Sequence, residues 1–525
     1  MRDRPEPQES AGREPASDPM LQELLNLLST SSPRQVARQL MQMMRPSPTL
    51  RRTMLNNLTG AVNMLLDEKD LDGAARLLEM AETVAEAIGT PWALAECHYW
   101  RGRLELEQGN LEAAASHFEK LSSIEDPEKQ VIAIHSLALA LFHTGNLVKA
   151  ERQFHETIMV AQEHSSSLGM AQGYLGLAMI ARMKNNVSEA KQWLGHARQY
   201  AETAHAADVI AQIMTEQGLL AAQGEDTQLA AEYHQGLEEY LKQPVGMPED
   251  TRIRALSALI TNRAALAMRE DRLEEARHFA EEAMSHQSSL PRIDQVENLV
   301  VAGTIHSMEG NFKVGKQLLL AAFQLAEEMR FPSGLLTSGI ALSAVYALHS
   351  LFEPAYRVCS TSIDALERLR GQAGGEADRL LYIQDKTEIY SLMILLCLIL
   401  ADLKRTSRYH RQALAYVERA KSRTFIEALG RGTTFAPPLN LPAEFLQREA
   451  QVLTQLQVLE TRLRTSTDTT EQEQVQHAYA EAQTELDEVW KRIADIAPEY
   501  AALRRGQPLT FEAIRTLLSD PSTHR

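Results

Sequence analysis

Small and apolar residues recur along this chain in one order and at one spacing. A small residue is followed by an apolar residue nine positions later, a second small residue twelve positions later and an apolar residue sixteen positions later. In the stretch that begins at Gly102, these are Leu111, Ala114 and Phe118, and Gly109 stands before an asparagine between the two halves. Glycine, and asparagine to a lesser degree, adopts the left-handed backbone that ends a helix. The stretch therefore predicts the end of one helix, a turn and the start of a second helix.

The second small residue of this pattern aligns eight times, at intervals of 36 to 46 residues. The eight reference positions are Ala74, Ala114, Ala150, Ala190, Ala230, Ala276, Gly315 and Ala355. Three positions before each of them stands an apolar residue, except for Thr227. Small residues on facing helices let the two helix axes approach closely. Repetition at a near-constant spacing therefore predicts antiparallel helix pairs stacked into a solenoid.

The predicted fold class is all-α, a right-handed α-solenoid or superhelix followed by an antiparallel coiled-coil hairpin. Two amphipathic stretches, about residues 443–465 and 471–496, are joined by a short polar turn and predict the hairpin. The predicted divisions of the chain are a disordered tail (1–19), a small helical cap (20–49), eight helix pairs (50–370), a terminal helix pair (371–429), and a linker, hairpin and short helix that lead toward an absent domain (430–525).

The charge balance and the apolar runs argue against nucleic-acid and membrane partners. The formal net charge is -17, whereas nucleic-acid binding needs clustered positive charge. The most apolar run, Tyr390–Ala401, is shorter than the ~20 residues of a membrane span. The polar start of the chain lacks the apolar stretch of a secretory signal peptide. We expect a cytoplasmic protein that binds neither nucleic acid nor membrane.

The residues also lack the pattern of a catalytic, metal or cofactor site. Cys97, Cys359 and Cys397 are far apart and lie in apolar helical context, as buried thiols do in a reducing compartment. No two histidines stand three or four positions apart, so no helix offers a ready pair of metal ligands. We therefore expect no catalytic residue, no metal and no cofactor, and the chain is not expected to be an enzyme.

The repeat pattern resembles the tetratricopeptide repeat. The consensus of that family has a small residue in the first helix, an alanine twelve positions later and an aromatic residue four positions after the alanine. Phe118 and Phe154 match the aromatic position, while the interval of about 40 residues exceeds the usual ~34. The resemblance covers about residues 50–369. It implies a superhelix that binds a protein or peptide on its concave face.

A second resemblance lies in the terminal helix pair. Residues Glu418 to Arg423 have the sequence E-R-A-K-S-R, which resembles a helix that closes the repeat array in bacterial proteins joining tetratricopeptide repeats to a CHAT domain, a caspase-like cysteine peptidase fold. The strands of that peptidase domain do not follow here. The favoured function is a non-enzymatic protein-binding scaffold. The alternatives are the regulatory half of a CHAT-type peptidase whose catalytic domain is truncated or separately encoded, and an effector-sensing arm of a bacterial signalling system.

The resemblance to the tetratricopeptide repeat also implies which residues bind a partner. The groove positions of the first helices are Tyr99, Arg103, His135, Leu139, Phe142, Leu175, Met179 and Arg182. An apolar middle with arginines at the edges suits an amphipathic helix or an extended peptide. The apolar residues either form a free surface or pack against the next helix of a tighter superhelix. A CHAT peptidase or its regulator is one candidate for the protein partner.

Overall fold

A computed structural model describes residues 32–43, 48–121, 126–243, 246–371, 388–430, 441–465 and 469–498. Within these ranges the regular secondary structure is helical, with no strand. The helices are α1 (Pro33–Met43), α2 (Pro48–Asp67), α3 (Leu71–Ile88), α4 (Pro91–Gln108), α5 (Leu111–Phe118), α6 (Pro127–His143), α7 (Leu147–Glu163), α8 (Ser167–Met183), α9 (Val187–Thr203), α10 (Ala207–Gln223), α11 (Thr227–Leu241), α12 (Glu249–Arg269), α13 (Leu273–Ser285), α14 (Arg292–Met308), α15 (Phe312–Glu328), α16 (Pro332–Leu348), α17 (Phe352–Gly371), α18 (Glu388–Lys404), α19 (Ser407–Gly430), α20 (Ala443–Thr465) and α21 (Thr469–Ile496). A short 3₁₀ helix (Gln287–Ser289) precedes α14.

From α2 to α19 the helices pack in consecutive pairs, and each pair also packs on the next. We call the even-numbered member of each pair the first helix and the odd-numbered member the second helix. The pairs therefore run from α2/α3 to α18/α19. This arrangement confirms the predicted all-α helical-repeat solenoid.

The turn inside each repeat places one residue in the left-handed conformation, directly before the N-cap of the second helix. Gly109 has a φ of 79° and Gly145 a φ of 82°. The side chain of Asn146 then accepts a hydrogen bond from the backbone N–H of Lys149. The Gly-Asn dipeptides of the sequence therefore mark real turns. Glu225 occupies the equivalent turn position and has the same left-handed backbone, with a φ of 61°. Because glutamate is not typical of this conformation, the sequence did not predict a turn at this residue.

Small residues stand where the helices of a repeat approach most closely. The seven alanines among the eight reference positions have no exposed surface. A Cβ atom at Gly315 would lie 2.7 Å from the carbonyl oxygen of Gly303 on the facing helix. A Cβ atom at Gly102 would lie 2.7 Å from the ring of Phe118. The twelve-residue spacing thus brings small residues of the two helices to one contact.

One contiguous apolar core joins early and late repeats. It contains Phe142 of α6 and Ile180 of α8, and also Leu336 of α16, Cys359 of α17 and Tyr390 of α18. These residues are distant in sequence but belong to the same cluster. The superhelix therefore turns far enough for its later repeats to pack on its earlier ones.

The last two described helices, α20 and α21, pack against each other. Val452 and Leu459 of α20 meet Ala482 and Leu486 of α21 in a separate small core. The indole Nε1 of Trp490 donates a hydrogen bond of 3.0 Å to the carboxylate of Glu449. The predicted hairpin is thus present as a helix pair.

Several predicted segments lie wholly or partly outside the described residues. These are the disordered tail (1–19), the first part of the helical cap (20–31), the first part of the terminal helix pair (372–387), the linker (431–440), the hairpin turn (466–468) and the terminal short helix (499–525). Of the cap, α1 is described, and it packs against α3.

Candidate functional site

Two turns of the superhelix meet along a seam, where the C-terminal ends of α4 and α6 lie beside the N-terminal ends of α14 and α16. Arg292, the first residue of α14, donates a hydrogen bond of 2.9 Å through Nη1 to the carbonyl oxygen of Gln108, the last residue of α4. The ring of His143 at the end of α6 lies 5.9 Å from that of Phe331, the N-cap of α16. The seam is therefore an interface within the chain, formed by helix ends.

Five charged side chains from four first helices converge beside the seam, and we call them the seam charge cluster. They are Arg182 of α8, Glu216 of α10, Arg254 of α12, and Asp294 and Glu297 of α14. Arg182 Nε lies 2.6 Å from Glu216 Oε2, and Arg254 Nε lies 2.5 Å from Asp294 Oδ2. Among the described residues, Glu297 has no hydrogen-bond or ion-pair partner. Two cations and three carboxylates leave one negative charge, which is centred on Glu297.

The Glu297 carboxylate is open to solvent but surrounded by protein. Its side chain is exposed, yet desolvation by neighbouring protein atoms raises its pKa above the usual range. Asp294 raises this pKa further, whereas Arg182 lowers it. An exposed side chain with many protein atoms around it is typical of a concave surface. We therefore infer that Glu297 lies in a concave part of the surface beside the seam, which we call the seam crevice.

The two arginines of the seam charge cluster are held as cations. Burial lowers the pKa of Arg182, but the charge and hydrogen bonds of Glu216 more than offset this, so the pKa is raised. Arg254 behaves in the same way beside Asp294. Charge-assisted pairs with two parallel N–H donors fix the orientation of both groups. The cluster thus offers fixed charges and one unpaired carboxylate.

Beyond the crevice, three first helices end in exposed large apolar residues, which we call the apolar edge. They are Met308 of α14, Leu348 of α16 and Leu403 of α18, with 50%, 82% and 64% of their surface exposed. Each stands two positions before the left-handed residue of its turn. His143 occupies this position on α6, where Phe331 of the next superhelical turn lies against it. The repeat position that Phe331 covers on α6 is therefore exposed on α14, α16 and α18.

Five of the eight predicted groove residues lie in the core or pack against it. Tyr99, Phe142 and Leu175 are buried in the core. Leu139 and Met179 are half-buried and pack against the same core. Phe142 and Leu175 therefore lie inside the packed superhelix, whereas Leu139 and Met179 keep part of their surface exposed.

The three polar members of the predicted groove have separate positions. Arg103 donates a hydrogen bond of 3.0 Å to Asn63 of the preceding first helix. His135 turns toward the second helix of its own repeat, where its ring centroid lies 5.8 Å from that of Phe154. Burial lowers the pKa of His135 to about 4. Only Arg182 among the eight reaches the seam charge cluster.

Glu297 was not among the predicted residues, although the same register selects it. It stands six positions before Gly303, the small first-helix residue of its repeat. Its role depends on Arg182 and Arg254, which come from other repeats and are placed beside it only by the superhelical turn. The sequence register could have identified Glu297 as a groove residue, but not as the unpaired member of a charge cluster.

The three cysteines are buried, and their thiols are not activated. Burial raises the pKa of Cys97 and Cys359 to about 12 and that of Cys397 to about 11. Their thiols therefore stay protonated and poorly nucleophilic at neutral pH. Within the described ranges, no group of three His, Cys, Asp or Glu side chains is arranged to hold a metal ion. None of the described helices is both long and apolar enough to cross a membrane.

Comparison with known proteins finds distant similarity to helical-repeat structures. No protein-family model matches the chain, and no curated protein matches it significantly. The chain resembles a Rap protein complexed with competence and sporulation factor, with a TM-score of 0.45 and 14% identity over 62% of this chain and 100% of that chain. It also resembles NprR in complex with its cognate peptide NprX, with a TM-score of 0.41 and 11% identity over 71% of this chain and 98% of that chain. A signal transduction ATPase with a tetratricopeptide repeat sensor from Pyrococcus horikoshii has a TM-score of 0.39 and 12% identity over 88% of this chain and 66% of that chain. At TM-scores below 0.5, these likenesses do not bear on ligand or activity.

Proposed function

We propose that the chain is a non-enzymatic binding module for a protein or peptide segment that docks along the C-terminal ends of the later first helices. The apolar edge carries this proposal. Met308, Leu348 and Leu403 expose large apolar surfaces at one position of three successive repeats. We infer from this equivalent placement that they form one apolar patch, which is typical of an interaction surface. Burying each such side chain would contribute roughly 1.5–3 kcal/mol before the costs of association.

The helix α14 connects the apolar edge with the seam charge cluster. Glu297, Val301, Thr304 and Met308 follow one another at intervals of four, three and four residues, so they lie on one face of the helix. Glu297 and Met308 are exposed and the two residues between them are half-buried. A docked segment would therefore contact apolar groups at one end of α14 and charged groups near the other.

The double variant Leu348→Asp with Leu403→Asp tests this proposal. The full chain is immobilised, a partner captured from native lysate is identified by mass spectrometry, and the purified partner is titrated against wild type and variants. We expect the double variant to bind at least about tenfold more weakly, because each aspartate would lose a hydrophobic contact and place a charge at the interface.

A matched control is available on a second helix. Val148 of α7 is 48% exposed, and Val148→Asp introduces one such charge away from the apolar edge, so this variant should bind the partner like wild type. If the double variant binds the partner as tightly as wild type while circular dichroism shows an intact fold, the apolar edge is not the docking surface and the proposal fails.

The predicted groove remains a proposal for its half-buried members. Charge substitution at Leu175 would test folding more than binding, because that side chain is buried. Met179 is half-buried, so Met179→Lys is the informative change. A folded Met179→Lys chain with unchanged partner affinity would remove this residue from the binding surface.

Regulation of a CHAT-type peptidase is a second candidate function, which rests on the E-R-A-K-S-R motif. Glu418 and Arg419 lie on α19, the second helix of the last pair, and the Arg419 guanidinium lies 5.3 Å from the ring centroid of Tyr416. The side chains at 421–423 lie outside the described residues. A strand-rich sequence with a His and a Cys, encoded in frame after codon 525 or in the neighbouring gene, would support this candidate. Its absence from both places would remove it.

A further inference from the structure

The geometry points to a basic residue in the docked segment, a lysine or an arginine, whose cationic group binds the Glu297 carboxylate in the seam crevice. This inference rests on the proposed function and names the chemistry of the partner. It is carried by the placement of Glu297 among four fixed charges and by its position on the same helix face as the apolar edge.

Charge complementarity selects a cation as the occupant. Arg182 and Arg254 already bind Glu216 and Asp294, so neither arginine has an unsatisfied positive charge. Glu297 alone has no partner among the described residues. A cation there would bring the cluster to three positive and three negative charges. An anion would meet three carboxylates and two arginines that are already engaged.

The number of free oxygens favours an ammonium or guanidinium group over a metal ion. Hard divalent cations in proteins require about six oxygen ligands, and the carboxylates of Glu216 and Asp294 are committed to arginines. One free carboxylate is sufficient for a single ion pair with lysine or a two-point contact with arginine. In a crevice the lower effective dielectric strengthens such a pair relative to one on an open surface.

The spacing along α14 restricts the sequence of the docked segment. Glu297 and Met308 are eleven residues apart on one helix face, which corresponds to about 16 Å. An extended peptide covers this distance in about five residues and a helical peptide in about eleven. We therefore expect the basic residue to stand either about five or about eleven positions from an apolar anchor in the partner.

Selection of peptides on the full-length chain tests the inference. A phage-displayed library of random 16-residue peptides is selected on the immobilised wild-type protein, and the enriched sequences are aligned. We expect Lys or Arg to be enriched at one position, at one of the two spacings from a large apolar residue. The best peptide is then synthesised with a fluorescent label, and its Kd is measured by anisotropy.

Two isosteric variants separate the specific contact from general electrostatics. Glu297→Gln should weaken binding of the labelled peptide about tenfold, as loss of a charge-assisted contact does. Glu282→Gln removes the same charge from an exposed position on the second helix α13 and should leave the Kd unchanged. Glu297→Lys should bind poorly to the basic peptide and recover affinity for a version with Glu at the basic position.

The outcomes distinguish this inference from the proposed function. If peptides are selected but show no basic preference, or bind Glu297→Gln as tightly as wild type, the role of Glu297 is wrong while the binding function stands. If the folded chain selects no peptide above background, the proposed binding of a short segment is itself contradicted, and the inference falls with it.

Discussion

Arg292 Nη1 lies 2.9 Å from the carbonyl oxygen of Gln108, although 184 residues separate them in sequence. The contact joins the first residue of α14 to the last residue of α4. Next to it, Gly109 faces the side chain of Met329, which leaves no room for a Cβ atom. A glycine that the sequence marks as a turn inside one repeat therefore also allows close packing between two superhelical turns.

Gly109→Ala should open the seam, and Gly310→Ala provides a matched control. Both glycines have left-handed backbone, with φ of 79° and 83°, so both substitutions carry the same strain of about 1–2 kcal/mol. A Cβ at Gly109 would lie 2.7 Å from Met329 Sδ, whereas a Cβ at Gly310 would meet nothing within 4 Å. We expect Gly109→Ala to cost a further ~1–3 kcal/mol.

The measurement is thermal unfolding of both variants together with hydrogen exchange at the seam. Faster exchange of the amides around residues 106–110 and 329–333 is expected in Gly109→Ala but not in Gly310→Ala. Equal melting temperatures and equal exchange in the two variants would show that the seam is not a close contact in solution.

The contact between Gly102 and Phe118 predicts an unusual effect of alanine in a helix. Alanine normally favours a helix over glycine by about 1 kcal/mol. At Gly102, however, the added methyl group would lie 2.7 Å from the Phe118 ring, and overpacking of this kind costs ~1–3 kcal/mol. Gly102→Ala should therefore lower the stability of the chain, as measured by the urea midpoint.

Gly195 in α9 is the control for this prediction, because no atom lies within 4 Å of a Cβ placed there. Gly195→Ala should raise the urea midpoint by helix propensity alone. The smaller side chain of Phe118→Leu should restore part of the stability lost in Gly102→Ala. An increase in stability for both alanine variants would mean that the two helices are not in close contact at Gly102.

The repeat itself could be predicted from sequence because its determinants are local. Gly102 meets Phe118, and the turn at Gly109 is closed by a hydrogen bond from its N–H to the carbonyl oxygen of Leu106. Local spacing therefore identified the helix pairs and their turns. The close packing at Gly102 follows from the same pattern.

The seam and the apolar edge could not be predicted in this way. The residue at the end of a first helix is covered only where a later superhelical turn packs on it. This depends on the rotation between successive repeats, and small differences in that rotation add up over several repeats. His143 is covered and Leu348 is exposed, although both occupy the same repeat position. Leu175 matched the groove register but is buried in a cluster formed by α8, α9 and α10, so neighbouring helices cover it.

Acid should destabilise the chain partly through His135. Burial lowers the pKa of this imidazole to about 4 in the folded chain, below the ~6.5 of an unfolded chain. As the pH falls below ~6.5, the unfolded state binds the proton first, so stability decreases until the pH reaches the folded pKa. The loss amounts to up to roughly 3 kcal/mol by this linkage.

His135→Leu removes the titrating group and should reduce the loss of thermal stability between pH 7 and pH 4.5. Comparison at pH 8, where the imidazole is neutral in both states, reports the effect of the changed packing against Phe154 alone. Identical pH slopes for wild type and His135→Leu would show that this histidine is protonated equally easily in both states.

As the pH is lowered, the affinity for a basic peptide should begin to fall at a higher pH than the pKa of an ordinary glutamate predicts. Desolvation, and then the charge of Asp294, raise the pKa of Glu297 in the free chain. Binding of a cation requires the ionised carboxylate, so affinity is present above this raised pKa and is lost as the pH falls through it.

The Kd of an arginine-containing peptide is measured by anisotropy from pH 8 to pH 4.5, because arginine stays charged throughout. Glu297→Gln should show weaker but nearly pH-independent binding. A parallel pH dependence in wild type and Glu297→Gln would assign the effect to other groups of the seam.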